Sequence, residues 1–131
     1  MERDFEIFRT GPNEARSKRA HVTIGGYGII RMNRNVYHML GRPAAVRLAY
    51  SRERDAIWVE AVSPRLDEAF PVITDRMAWR INAAPFCRHY NIQPDTTLKF
   101  VAPDINGQTM MLKLRETISV ARPKRKGLKK G

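Results

Sequence analysis

Short apolar runs along this chain alternate with turns rich in glycine, proline or charge, a pattern typical of short strands. Residues 21–24 (HVTI) and 29–32 (IIRM) flank the glycine turn GGYG and predict a β-hairpin. Asn33 then predicts the N-cap of a short helix, because its side-chain oxygen can accept from the free N–H groups of the first turn. The helix runs through Leu40 and ends at Gly41, since glycine tolerates the left-handed conformation there.

Two more strands complete this first unit. Residues 46–50 (VRLAY) and 57–62 (IWVEAV) alternate in polarity and are joined by the charged turn SRERDA. The unit therefore runs strand, strand, short helix, strand, strand.

The same order of patterns returns about one unit later. Residues 69–73 and 77–81 are strand-like, Asn82 stands in the place of Asn33 as a helix cap, and Asn91 takes the place of Gly41. The segments TLKFVA and TMMLKL complete this second unit, joined by PDINGQ, whose Asn-Gly is a turn signal. We predict a duplication with repeats at about 20–62 and 69–114.

The segment TIGGYGIIRMNRNVYHMLGRPAAVRL resembles the AbrB/SpoVT family of swapped-hairpin DNA-binding domains. In that family a Pro usually opens the helix and an Arg follows the hairpin glycine, where this chain has Arg34 and Ile29; Asp95 stands near the family's Gly-Asp pair. Two chains of the family intertwine into one barrel. The resemblance implies that two units in one chain form the whole barrel, and duplicated barrels of the double-psi type remain an alternative.

The predicted fold is mainly β with two short helices, closed into a pseudo-twofold barrel of the swapped-hairpin or double-psi type. Closure removes the exposed strand edges of a lone unit. The predicted organisation is a loosely ordered arm at residues 1–19, the duplicated barrel at 20–121 and a basic, disordered tail at 122–131.

Charge is concentrated at the carboxyl end of the chain. The formal net charge is +11, and residues 122–131 contain no Asp or Glu. The tail cations are Arg122, Lys124, Arg125, Lys126, Lys129 and Lys130. A polyanion is the natural partner, since each neutralised phosphate releases counterions. The alternatives are a solvated tail without a partner and an anionic membrane surface.

Arg31 and Arg80 occupy equivalent positions in the two units, and the resemblance implies that such a pair straddles a DNA groove. Arg34 and Arg88 extend the same predicted patch. The alternative is that all four arginines belong to a solvated barrel exterior.

Enzyme chemistry is not indicated. Cys87 is the single cysteine, so an internal disulfide and a multi-cysteine metal site are excluded and a reducing, cytoplasmic location is expected. Cys87 and His89 are two apart on a helix and point to different faces, a poor arrangement for a nucleophile and its base. The turn GGYG lacks the Lys-Ser/Thr of a phosphate loop. No cofactor, metal or membrane-spanning segment is expected.

We therefore expect a nucleic-acid-binding protein, with duplex DNA as the favoured partner, acting as a transcriptional regulator or nucleoid-type binder. It would be a monomeric pseudo-dimer or a homo-oligomer. One alternative is an RNA or single-strand binder that uses Trp58 or Trp79 as a stacking platform. Another is a small barrel enzyme or a protein-interaction module.

Overall fold

The computed structural model describes residues 20–120, which form ten strands and two short helices. The strands are β1 (Val22–Ile24), β2 (Ile29–Met32), β3 (Ala45–Ser51), β4 (Ala56–Val62), β5 (Phe70–Asp75), β6 (Ala78–Asn82), β7 (Leu98–Phe100), β8 (Asp104–Asn106), β9 (Thr109–Lys113) and β10 (Thr117–Ser119). The helices are α1 (Arg34–Met39) and α2 (Ala84–His89). The predicted arm and basic tail lie outside the described residues.

All ten strands belong to one antiparallel sheet in the order β10-β7-β1-β2-β6-β5-β3-β4-β9-β8. The prediction of a mainly β fold with two short helices is therefore confirmed. The order has two ends, and within residues 20–120 no pairing joins β10 to β8. The sheet is an open half-barrel, so the predicted closure is not shown by this part of the chain.

The predicted hairpin of β1 and β2 is confirmed, and its turn packs against helix α2. The Gly28 N–H donates to the Gly25 carbonyl at 3.0 Å. Gly28 has φ +80°, and a Cβ there would lie 2.7 Å from the Ala84 Cα. Glycine is therefore required at this position both by the turn and by the close approach of α2.

Helix α1 begins and ends as predicted. The Asn33 side chain accepts from the Val36 N–H at 3.2 Å. At the other end the Gly41 N–H donates to the His38 carbonyl at 3.0 Å, and the Arg42 N–H donates to the Tyr37 carbonyl at 2.9 Å. These two bonds, with Gly41 at φ +86°, form a Schellman motif.

Helix α2 ends in the same way but begins differently. Asn91 has φ +58°, as predicted, and the Ile92 N–H donates to the Cys87 carbonyl at 2.8 Å. The predicted cap at Asn82 is wrong, because Asn82 is the last residue of β6 and Ala83 is the N-cap, without a side-chain bond. A proline in the first turn presets the helical φ, which lets α2 begin without a side-chain cap.

The end of the second predicted unit is more complex than two joined strands. The Asn-Gly turn is present, with Gly107 at φ +66°, but it joins β8 to β9. Strand β9 pairs with β4 and β8, whereas β7 pairs with β1 and β10. The segments TLKFVA and TMMLKL are therefore not neighbours in the sheet. Strands β8 and β10 were not predicted: β8 lies in the segment PDINGQ, which was predicted as a turn, and β10 lies beyond the predicted second unit.

One apolar core unites strands from both halves with both helices. Its fully buried large side chains are Phe100, Ile24, Ile30, Met32, Leu40, Ile57, Ile81, Met110, Leu112, Val22, Val36 and Val46. Within residues 20–120 no helix is long and apolar enough to cross a membrane.

Candidate nucleic-acid interface

A row of polar side chains crosses the outer face of the sheet. Lys99 of β7 pairs with Thr23 of β1, Thr23 with Arg31 of β2, and Arg31 with Arg80 of β6. Directly opposed residues share a face of the sheet. The neighbouring register pair, Ile30 and Ile81, is buried in the core. Because successive residues of a strand point to opposite faces, the four polar residues point away from the core, and we call them the outer row.

The two arginines of the outer row share one carboxylate. Arg31 Nε lies 3.3 Å and Arg80 Nη1 lies 3.6 Å from the same Asp75 Oδ2. Arg80 Nε also donates to the Asn82 side-chain oxygen at 3.3 Å. One negative charge between two positive ones leaves a net positive charge at this point, and Arg31 is about half exposed, with a side-chain exposure of 49%. The structure thus brings the predicted pair together at the pairing of β2 with β6.

His21 lies near Lys99, at the other end of the row. Its pKa is lowered from the ordinary value of 6.5 by partial burial and by the positive charge of Lys99. The backbone N–H of His21 donates to the Asn33 side-chain oxygen at 3.4 Å.

A cavity of about 440 Å³ adjoins Arg31, between the β1–β2 turn and the loop before β7. Its lining includes Tyr27, Asp95 and Thr97. Tyr27 is 88% exposed at the tip of the turn. An exposed aromatic ring beside an exposed guanidinium group offers both stacking and phosphate contacts. Tyr27 and Lys99 were missed in the sequence, because only the fold places them next to Arg31.

The other two predicted arginines lie elsewhere. Arg88 lines a cavity of about 230 Å³ that shares Tyr27 with the one beside Arg31, on the α2 side of the turn. Arg34, the first residue of α1, lines a separate concavity with Trp79. Arg34 is therefore not part of the cavity beside Arg31. The predicted tail cations lie outside the described residues.

The two tryptophans differ in their surroundings. Trp58 is 40% exposed and lines a cavity of about 340 Å³ that also includes Arg54 and Met111. Trp79 is half-buried and stacks on Tyr37.

The lone thiol is a packing group. Cys87 is 3% exposed, and burial raises its pKa. Among residues 20–120 no group of three or more His, Cys, Asp or Glu is arranged to hold a metal ion.

A scan against models of protein families found no match, and searches of curated proteins and of solved structures found none either.

Proposed function

We propose that this protein binds nucleic acid, with duplex DNA as the preferred partner, through the outer row and the basic tail. The observation that carries the proposal is the opposition of Arg31 and Arg80 at the pairing of β2 with β6, with Lys99 in the same row. A net charge of +11 favours a polyanion. The strands fix the backbone at these cations, so binding does not have to order the backbone there.

The strand order supports an internal duplication, but its second unit extends to β10, beyond the predicted end at residue 114, and β10 takes the place predicted for TMMLKL. In the first half β1 pairs with β2 and β3 with β4; in the second half β5 pairs with β6 and β7 with β10. Between the halves β2 pairs with β6, β1 with β7, and β3 with β5. If each strand from β10 to β4 is replaced by its counterpart in the other half, the same order results, read from the opposite end. We infer a swapped-hairpin arrangement in which β10 is the counterpart of β4 and the β8–β9 hairpin is an insertion.

This arrangement gives the arginine pair its proposed role. Arg31 and Arg80 are counterparts in the two halves, and they face each other as a local twofold axis between them requires. Duplex DNA has local twofold axes of its own, which proteins with twofold symmetry commonly match. The guanidinium groups can reach phosphates on either side of a groove, or guanine edges within it.

The sharpest test changes Arg31, Arg80 and Asp75. The double variant Arg31→Gln/Arg80→Gln should weaken duplex binding by roughly tenfold or more per lost contact, as a contact to a base or phosphate is worth about 1–3 kcal/mol. Asp75→Asn should strengthen binding, because it removes the carboxylate that competes for both arginines. Fluorescence anisotropy of a labelled duplex, titrated at several salt concentrations, measures both effects.

Matched controls separate position from net charge. In the exposed loop between β4 and β5, Asp67→Asn makes the same charge change as Asp75→Asn, and Arg65→Gln makes the same change as either single variant, Arg31→Gln or Arg80→Gln. Equal effects at the outer row and in this loop would contradict the proposal.

The tail makes a separate contribution. Removing residues 122–131 deletes six cations, and we expect weaker duplex binding with a shallower salt dependence. Circular dichroism should be unchanged, because the core lies within residues 20–120. An unchanged salt slope would mean that the tail does not contact phosphate.

Single-strand binding is a second candidate, favoured by the exposure of Trp58 beside Arg54. In that case a single-stranded oligonucleotide should bind more tightly than the duplex, and Trp58→Ala should remove the difference. The reverse ranking supports the outer row.

A further inference from the structure

A second basic concavity lies between α1 and β6. It measures about 380 Å³ and is lined by Arg34, Tyr37, His38, Arg42 and Trp79; we refer to it as the α1 concavity. Trp79 directly precedes Arg80 on β6, and successive residues of a strand point to opposite faces. The α1 concavity is therefore separate from the outer row.

Its aromatic wall is a stacked pair. The rings of Tyr37 and Trp79 lie 4.3 Å apart with 9° between their planes, and one ring comes from the helix and the other from the strand. His38 meets the Tyr37 ring edge-on, at 5.9 Å and 85°. Both rings of the pair are only half-buried. A flat aromatic ligand can pack against such a surface without removing water from a charged group.

The charged rim of this concavity is not neutralised by any residue between 20 and 120. Arg34 and Arg42 are both exposed, and within residues 20–120 no carboxylate lies within 4 Å of either guanidinium group. By contrast, Arg31 and Arg80 share Asp75. Among the residues that the structure describes, no acidic residue lines the α1 concavity. An anionic ligand therefore meets two free arginines, with His38 as a further polar group.

Arg42 occupies an unfavourable backbone conformation at this rim. Its φ is +53°, directly after Gly41 at +86°, and a residue before proline normally prefers an extended conformation. The Arg42 N–H bond to the Tyr37 carbonyl, at 2.9 Å, holds it there. The end of α1 thus fixes a cation beside the aromatic pair.

We propose that the α1 concavity binds a nucleotide, with the base packed against Trp79 and Tyr37 and the phosphate bound by Arg34 and Arg42. A simple anion would not use the aromatic wall, and a neutral ligand would leave both arginines without an acceptor. The nucleotide is either a free nucleoside phosphate or an unpaired nucleotide within a strand. The site is independent of the outer row, so it stands even if duplex binding fails.

Tryptophan fluorescence gives a direct test in the full-length chain. Trp58→Phe leaves Trp79 as the sole tryptophan. Adding adenosine monophosphate to this variant should quench the emission as the base stacks, whereas inorganic phosphate should bind more weakly and quench little. A short single-stranded oligonucleotide identifies the source of the ligand. Binding that is tighter than that of the monophosphate and is weakened by Arg34→Gln and Arg42→Gln indicates a strand, and binding that these variants do not weaken indicates a free nucleotide.

Charge-deleting variants on the same background locate the binding site. Arg34→Gln and Arg42→Gln should each lower the affinity for adenosine monophosphate by about tenfold, which is the effect of losing one charge-assisted hydrogen bond. Arg65→Gln, which removes an exposed arginine in another loop, should have no effect. Arg31→Gln/Arg80→Gln should also leave this affinity unchanged, which keeps the result separate from duplex binding.

Three results would overturn the proposal. The first is no saturable quenching by the monophosphate at concentrations on the order of 1 mM, where binding would be no stronger than about 4 kcal/mol. The second is equal binding of inorganic phosphate and the monophosphate. The third is an equal loss of affinity in Arg42→Gln and Arg65→Gln.

Discussion

Single residues in the left-handed region set the path of this chain, and Arg42 is the least expected of them. The other non-glycine residues with a positive φ are Asp55, Arg76 and Asn91. Asparagine and aspartate tolerate this conformation through local hydrogen bonds, but arginine has no such compensation.

Replacing Arg42 by glycine should therefore separate stability from binding. We expect Arg42→Gly to leave the free energy of unfolding unchanged or to raise it by up to about 1 kcal/mol, since strain relief outweighs the added freedom of the unfolded chain. Nucleotide quenching should fall at the same time. Arg76→Gly, in the β5–β6 turn at φ +59°, is the control that relieves similar strain and leaves quenching intact. Urea unfolding measures the first effect; a clear loss of stability in Arg42→Gly alone would contradict the strain argument.

His21 makes the stability depend on pH. Its pKa is lower in the folded protein than its ordinary 6.5, so the unfolded chain binds a proton more readily. This contribution to stability is fully present above pH 6.5 and is lost as the pH falls through the lowered pKa. Urea unfolding at pH 8 and pH 5 should show a larger loss of stability at the lower pH in the parent protein than in His21→Gln.

Duplex bound at the outer row should raise the pKa of His21, because phosphate opposes the charge of Lys99, and an NMR titration measures that shift.

At the scale of elements, the two helices end alike but begin differently. Asn33→Ala should cost about 1 kcal/mol, because it removes the acceptor for the Val36 N–H. Asn82→Ala should stay within about 0.5 kcal/mol, since this exposed residue caps no helix. Chemical denaturation of both variants measures the difference. Equal losses would mean that Asn82 supports α2 after all.

The elements predicted from the sequence are those defined by local signals. The β1–β2 hairpin, α1 with Asn33 and Gly41, and the left-handed Asn91 each depend on residues a few positions apart. The prediction of a helix cap at Asn82 was wrong, although asparagine is a common capping residue. Helix α2 begins after Ala83, with a proline in its first turn.

The candidate sites were only partly visible in the sequence, for the same reason. The repeat in the sequence predicted that Arg31 and Arg80 belong together. It did not predict Asp75, which reaches both arginines only because the β5–β6 hairpin pairs with β2. Lys99 reaches the outer row through the pairing of β7 with β1. The stack of Tyr37 on Trp79 joins residues from different halves. No local pattern encodes such long-range pairings.

At the scale of the whole molecule, the β8–β9 hairpin lies at one end of the sheet yet contributes to the core. Leu112 of β9 is fully buried, and we expect Leu112→Ala to cost about 2–5 kcal/mol, as for other buried leucines. Met77→Ala, at a side chain that is 84% exposed, should have little effect. Thermal unfolding compares them. A small loss for Leu112→Ala would mean that the hairpin is a dispensable appendage.

The exchange of strands between the halves also determines when the chain can finish folding during its synthesis. Strand β1 forms its hairpin early, but its other edge is covered only when β7 arrives, and β3 waits for β5. Strands β2 and β4 likewise wait for β6 and β9, so a ribosome that has released only the first half presents four unpaired strand edges, which favour association with a neighbouring nascent chain. Slow translation between the two halves should lower the yield of correctly folded monomer and increase that of intertwined dimers.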